Sequence, residues 1–436
     1  MNLFNGEFCT GCGLCVSESE QVIKMDWDEY GFLKPVTLHG NMPGEAMKVC
    51  PFNPKPEDAI ADEDKLAGIY LKEAAQFDPE IGCFENTYIG YSRNWRSTSS
   101  SGGMATYIFE QLLQLRIVDH LYIVKEVNGS YAYQLFSNET EIKETSKTRY
   151  IPVTLEDLFI NIGNIEGKVA VSGVACFIKA IRLKQYYYPE LRDKIPFLIG
   201  IICGGWKSSF FTDFLAQSSG IDGDYRNQEY RIKDANSTAS DYSFGAYDGR
   251  GAFYQMKMSR VGDMWGSGLF KSKACDFCTD VLTELADISL GDAWLPECRS
   301  DGMGNSIIIT RTLLADQLIR EGMERDDLCV QPAPKSRIIE SQRPSFSHRR
   351  DGLKFRIRMA KLQGCVLPYV RKRVLRPISI SYSIVQLQRS ITRSESLEQW
   401  RAASSLEVFN RKMNKALKRL RFVTRVYHKM RKFKIS

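Results

Sequence analysis

Two rhythms of apolar residues run along this chain. Short runs at 169–171, 197–202 and 307–310 have the length and composition of buried strands. Residues 104–115 and 177–187 instead place apolar side chains three and four apart, which predicts helices with one face in a core. Strand, small-residue turn and helix in succession predict an α/β layer with a largely buried sheet across residues 86–331. Residues 56–85, rich in Ala, Glu, Asp and Lys, read as a helical connector with no chemistry of its own. Residues 1–55 follow neither rhythm; they are cysteine-rich, with a hairpin expected between Asp26 and Pro35. Residues 332–436 open with a Pro- and Arg-containing stretch. Farther on, Leu406, Phe409, Met413, Ala416, Leu420, Val423, Tyr427 and Met430 alternate spacings of three and four, the seam of an amphipathic helix.

Composition narrows the setting. The 436 residues suffice for two or three domains, and 43% apolar content is ordinary for a globular chain. The start lacks the basic and apolar segments of a signal peptide, and the longest apolar run, 195–206, is too short to span a bilayer. A cytoplasmic location is therefore expected, where thiols stay reduced and twelve cysteines call for metal ligation rather than disulfides. Charge is unevenly placed. The whole chain carries +7, yet residues 366–436 hold 18 Lys and Arg against three acids, leaving residues 1–365 net acidic.

Cys9, Cys12 and Cys15 lie in Cys-Thr-Gly-Cys-Gly-Leu-Cys. Two-residue spacers let a tight loop wrap one corner of a cubane, while Gly11 and Gly13 permit positive φ and leave amides for the cluster sulfurs. Ferredoxin-type loops draw a further ligand from a Cys-Pro pair, here Cys50-Pro51. A four-cysteine zinc site is the competing reading, but zinc loops usually pair C-x-x-C twice, and three evenly spaced cysteines favour a 4Fe–4S cluster. A second pair, Cys275 and Cys278, is by itself equally a redox dithiol or half a zinc site. Cys176 and Cys203 end predicted strands, where cofactors of open α/β sheets gather. Spacing alone leaves this quartet open between a ligand set and ordinary buried cysteines.

Several further segments carry a resemblance. Ser99-Ser100-Ser101-Gly102-Gly103 is similar to a Ser-Ser-Gly-Gly signature, and Gly173-Val174-Ala175-Cys176 sits where a Gly-Thr-Pro-Cys motif is found. Cys203-Gly204-Gly205, residues 230–233 and residues 286–292 follow in order. On these, together with the head, the chain resembles the coenzyme F420 hydrogenase/dehydrogenase beta-subunit family from residue 5 to about 312. The resemblance implies an α/β fold with an α+β head. A small ferredoxin-like iron–sulfur domain (1–55) and helical connector (56–85) would precede a mixed-sheet FAD and 4Fe–4S domain (86–331). A basic C-terminal region with the amphipathic helix (332–436) would follow. It also implies two 4Fe–4S clusters, on Cys9, Cys12, Cys15 and Cys50 and on Cys176, Cys203, Cys275 and Cys278. FAD would lie at Ser101, Gly102, Gly103 and Thr106, near Gly173. A Ser-Gly-Gly turn entering a helix suits a diphosphate; without the resemblance it reads equally as a plain helix start. Val174, Ala175, Phe177 and Gly204 depart from the family pattern where flavin and deazaflavin would touch, which argues against F420 itself.

The expected function is a flavin-dependent iron–sulfur oxidoreductase. It would pass electrons from ferredoxin through two clusters and FAD to a small organic substrate, with polysaccharide biosynthesis suggested by bacterial relatives. The alternative is a non-catalytic electron-transfer subunit. No catalytic residue is singled out. Cys298 reads as a buried structural thiol rather than a spare ligand, and the four histidines show no metal spacing. Asp287 and Asp292 suit equally the orienting of a ligand loop or flavin and the capping of turns, and Lys179 and Arg182 suit a phosphate or an acidic partner but read first as solvated charges. For the C-terminal helix two readings stand: an anionic membrane surface at the inner face of the membrane, or packing on protein. Nucleic acid is not expected, since no recognisable module accompanies the charge.

Overall fold

The computed structural model describes residues 6–433. The head contains an antiparallel hairpin of β1 (Ile23–Trp27) and β2 (Leu33–Thr37), with Trp27 opposite Leu33, where a hairpin is expected. A second small hairpin follows from β3 (Gln76–Asp78) and β4 (Gly82–Phe84). The body is then laid down by β5 (Asn86–Ser92), β6 (His120–Val127), β7 (Ser130–Phe136), β8 (Val169–Val174) and β9 (Phe197–Ile201). Next, β10 (Tyr225–Ile232), β11 (Ser243–Asp248) and β12 (Phe253–Lys257) form a separate antiparallel sheet. Last come β13 (Ile288–Asp292), β14 (Ser306–Thr310) and β15 (Leu328–Pro332).

Eight strands join one mixed sheet in the order β15-β5-β14-β13-β9-β8-β6-β7. Its centre, β6-β8-β9-β13, is parallel, and the flanking pairs are antiparallel. Alternate residues feed opposite cores. Val169 and Val171 pack with Phe177 and Ile181 of the Ala175–Tyr187 helix on one face. Ala170 packs with Tyr107, Ile108 and Leu112 of the Met104–Gln114 helix on the other. Burial on both faces explains why these strands appear as unbroken apolar runs. The head docks on the first face: Cys12, Leu14 and Val49 share a core with Leu155, Leu158 and Phe177.

One expectation needs correction. In 56–85 only Glu63–Tyr70 is α-helical, preceded by a short 3-10 turn and followed by β3 and β4. That connector also supplies buried Glu63, so it is not devoid of chemistry. Of the two readings of the C-terminal region, packing on protein describes its seam and its buried arginines. Arg349, Arg350, Arg356, Arg371 and Arg393 are buried, and several meet acids of the body, as in Arg371–Glu284 (2.7 Å) and Arg393–Asp276 (3.0 Å). The helix Leu406–Lys432 does form, and Phe409, Met413, Ala416 and Leu420 of its seam are buried. Phe409 stacks against Phe270 and packs edge-on to Phe214 and Trp400, so the seam is occupied by protein. Among the described residues no helix is long and apolar enough to cross a membrane.

Candidate functional site

The first cysteine group closes on itself. Cys9, Cys12, Cys15 and Cys50 line one small cavity with Pro35, Met47 and Pro51. Gly11 and Gly13 take φ of +77° and +83°, and the Gly11 amide donates to Cys9 Sγ at 3.3 Å. A side chain at Gly13 would strike Thr154 Oγ1 at 2.0 Å, so this glycine also lets the loop lie against the body. Burial pushes the Cys12, Cys15 and Cys50 thiols up, Cys50 to about 12, and neighbouring thiols push the same way. Buried thiols facing one another resist ionising alone; a bound cationic centre would reverse that balance.

The second group converges from three segments. Cys176 begins the helix after β8, Cys203 follows β9, and Cys275 and Cys278 flank the end of a short 3-10 turn, Lys273–Asp276. Their thiols act on one another electrostatically, and burial raises each. Backbone amides are directed at two of the sulfurs, Gly205 N to Cys203 Sγ (3.2 Å) and Trp206 N to Cys275 Sγ (3.1 Å). Among the described residues no three His, Cys, Asp or Glu side chains converge on a single metal ion. Cavity-lining thiols with amide donors fit a multi-iron cluster better than lone zinc.

The two groups are neighbours. Cys176 and Cys278 line a cavity together with Pro51 and Phe52, the residues that follow Cys50. Thr10, inside the first loop, turns its buried hydroxyl toward Cys176 and favours that thiolate, though without complete hydrogen-bond geometry. Arg349 completes the second group: 4% exposed, it donates to Asp280 O (2.6 Å) and to Cys203 O. Burial opposes its charge, but Cys278, Cys203 and Cys275 outweigh burial and hold it firmly protonated.

Beside Cys203 opens a cavity of about 780 Å³ at the carboxyl ends of β8, β9 and β13. Cofactor sites span about 300–1,000 Å³. Ser101, Gly103, Thr106 and Gly173 line it; Gly102 does not, lying behind against Gly90 O and Ser306. Arg149, Arg231 and Arg389 line it with Nε groups that find no partner within the protein, as a wall built for an anionic ligand would. Trp265, Trp294 and Tyr242 add aromatic faces. The residues present thus fit a flavin dinucleotide. Asp292 lines the cavity paired with Arg231 (2.5 Å), whereas Asp287 accepts from Arg182 (3.0 Å) and Leu198 N (2.7 Å) and holds the fold. Lys179 and Arg182 are therefore not solvated: both are buried, Lys179 on Glu63 (3.2 Å). Cys298 packs in an apolar cluster with Leu295 and Ile338, as a structural thiol.

Comparison with known proteins decides the family. Models of the coenzyme F420 hydrogenase/dehydrogenase beta subunit match residues 87–159 (N-terminal part) and 166–336 (C terminus), together more than half of the chain. The chain belongs to this family. A curated relative, the coenzyme F420 hydrogenase subunit beta of Methanosarcina barkeri (strain Fusaro / DSM 804), is 27% identical over 156 residues. That match covers 35% of this chain and 46% of the relative, less than half its length. A xenon-derivatised structure of the F420-reducing nickel–iron hydrogenase complex from Methanosarcina barkeri holds a chain of similar fold. The TM-score is 0.52 at 19% identity, covering 68% of this chain and 98% of that one. Members of the F420 hydrogenase/dehydrogenase beta-subunit family belong to oxidoreductase complexes and bind iron–sulfur clusters. Its models take in the FAD candidates and Cys176, Cys203, Cys275 and Cys278. Both the head quartet and Arg349 lie outside the matched residues. Arg231 lies within the 230–233 segment that carries the resemblance, whereas sequence spacing offered no signal for Thr10 or Arg349, whose roles arise only from the packing around them.

Proposed function

We propose that this protein is an iron–sulfur flavoprotein that carries electrons from a ferredoxin-type donor to a small organic substrate. One observation carries the reading. A single large cavity is lined both by Cys203 and by Ser101, Gly103, Thr106 and Gly173, while Cys176 and Cys278 of the same quartet border the head's Pro51 and Phe52. When bound, clusters supply single-electron chemistry and FAD exchanges it for two-electron chemistry. Cys9, Cys12, Cys15 and Cys50 would hold one cluster, and Cys176, Cys203, Cys275 and Cys278 the other. Ser101, Gly103 and the start of the Met104–Gln114 helix would hold the dinucleotide. Arg149 and Arg231 would meet anionic groups, and Trp265 and Trp294 offer ring faces, a lining suited to a sugar or nucleotide-sugar derivative such as polysaccharide assembly uses.

Ferredoxin is preferred to F420 on this chain's own residues. A Cβ at Gly204 would lie 3.2 Å from the Trp265 ring, so the family's histidine would require that ring to shift. A second reading, an electron-transfer subunit feeding a partner enzyme, is favoured by the hydrogenase subunit to which the chain is similar. Anaerobic purification tests the proposal. About eight iron, eight sulfide and one FAD per chain are expected, with Cys12→Ser and Cys278→Ser each losing about half of the iron. Reduced ferredoxin, or dithionite in its place, should reduce the flavin. Stoichiometric zinc without sulfide would refute the cluster assignment, and reduction by F420 alone would refute the donor. Turnover of a sugar nucleotide by the isolated chain separates enzyme from subunit.

A further inference from the structure

The helix Ile380–Arg401 shows two unlike faces. Tyr382, Val385, Gln386 and Thr392 are buried, whereas Ile380, Ile384, Leu387 and Ile391 stand 83, 49, 42 and 39% exposed. Spacings of four, three and four set those side chains in one stripe on the side turned from the body, about 16 Å long at 1.5 Å per residue. The Leu406–Lys432 helix lies alongside and antiparallel, since Tyr382 near the start of one stacks on Tyr427 near the end of the other. Its own outward side exposes Phe422 and Val426. That helix carries ten Lys and Arg against the single acid Glu407; all ten are exposed, and among the described residues none pairs with a carboxylate. The contrast with the rest of the region is direct: Arg349, Arg350, Arg371 and Arg393 are buried, and the last three are paired with body acids.

We propose that the outward face of this helical hairpin docks on an anionic lipid bilayer, its isoleucine–leucine stripe entering the interface while the neighbouring cations meet lipid phosphates. This differs from insertion of the Phe409–Leu420 seam, which is already filled by Phe214, Phe270 and Trp400, and it does not depend on the electron-relay reading. The charge of this face favours lipid over a second copy of the chain, because two such cationic faces would repel. Apolar side chains flanked by cations match the boundary between acyl chains and anionic headgroups, a combination that stable interfacial binding requires. The attraction would be screened beyond about 8 Å at physiological salt.

The full-length protein would be floated with vesicles of phosphatidylglycerol mixed with phosphatidylcholine, and with phosphatidylcholine alone. Binding is expected to the anionic vesicles only and to weaken as salt rises. The double variant Ile384→Glu and Leu387→Glu, at exposed positions, should lose roughly tenfold or more in affinity with an unchanged melting temperature. Arg421→Glu with Arg425→Glu should lose binding likewise. Absence of binding to anionic vesicles at low salt would overturn the proposal. So would binding that ignores the stripe variant, or lipid-free self-association abolished by that variant, or stripe-dependent binding to an acidic protein without lipid binding.

Discussion

Arg349 sits well beyond the last recognisable motif, yet its guanidinium is buried against the thiols of Cys203, Cys275 and Cys278. Adding an electron to the cluster proposed there would add negative charge, which a fixed cation stabilises most where water is excluded. Arg349→Gln should therefore lower the reduction potential of the second cluster by tens of millivolts, at about 59 mV per tenfold change in equilibrium. Arg349→Lys should restore part of the shift, and the head cluster should not move. A spectroscopic redox titration reads both; unchanged potentials would leave Arg349 as a clamp on Asp280 O and Cys203 O. Nothing in the sequence marks this arginine, because its meaning comes from three segments distant along the chain. Gly11 and Gly13 were legible, since a tight Cys-x-x-Cys loop demands positive φ. Gly102 and Gly103 were legible as glycines but for a different cause: a Cβ at Gly103 would lie 2.6 Å from the Trp95 carbonyl carbon. Replacing Gly103 would thus disturb its own backbone neighbours, so flavin loss in such a variant would not by itself locate the cofactor.

Periodicity identified elements wherever burial is lopsided or complete. The strands β8, β9 and β14 and the helices on either face of the sheet lie where apolar runs and three-four spacings put them. The β3–β4 hairpin escaped notice because three-residue strands carry no measurable alternation. Strand order escaped too: β5, early in the chain, lies between β14 and β15 through pairings that sequence rhythm does not encode. The terminal helix shows the same limit, since its seam announced a partner without naming it. Its partner is an aromatic cluster of Phe214, Phe270 and Trp400, and so Phe409→Ala should cost about 3–5 kcal/mol by opening a cavity among close-packed rings. Thermal unfolding followed in the near-ultraviolet is the measurement. A chain ending at Arg401 should be less stable still; unchanged melting in both would mean the helix is not docked in solution.

Across the whole molecule, the acidic body and basic C-terminal region are partly one ionic structure. Glu284 gathers Arg371 (2.7 Å), Arg350 (3.1 Å) and Arg373 (3.1 Å), all contributed by the region after β15, and Glu63 binds Lys179 (3.2 Å) and Arg371 (3.1 Å). Net charge alone could not show this, because it records sign and not partner. Burial would raise the Glu284 pKa, but Arg371, Arg350 and Arg373 outweigh burial and hold it at about 2, against an ordinary 4.5. A depressed carboxylate pKa gives stability that is complete above the unfolded value and disappears as pH falls through the folded one. Glu284→Gln keeps the shape but strands buried arginines, which should cost roughly 3–5 kcal/mol at neutral pH. Because the native carboxylate becomes protonated in acid, the gap between native and variant should hold down to about pH 4.5 and close as pH falls toward about 2. Urea unfolding of both proteins across that interval provides the comparison. A gap that is small at neutral pH, or that does not narrow in acid, would mean that the C-terminal arginines are held by packing rather than by this charge.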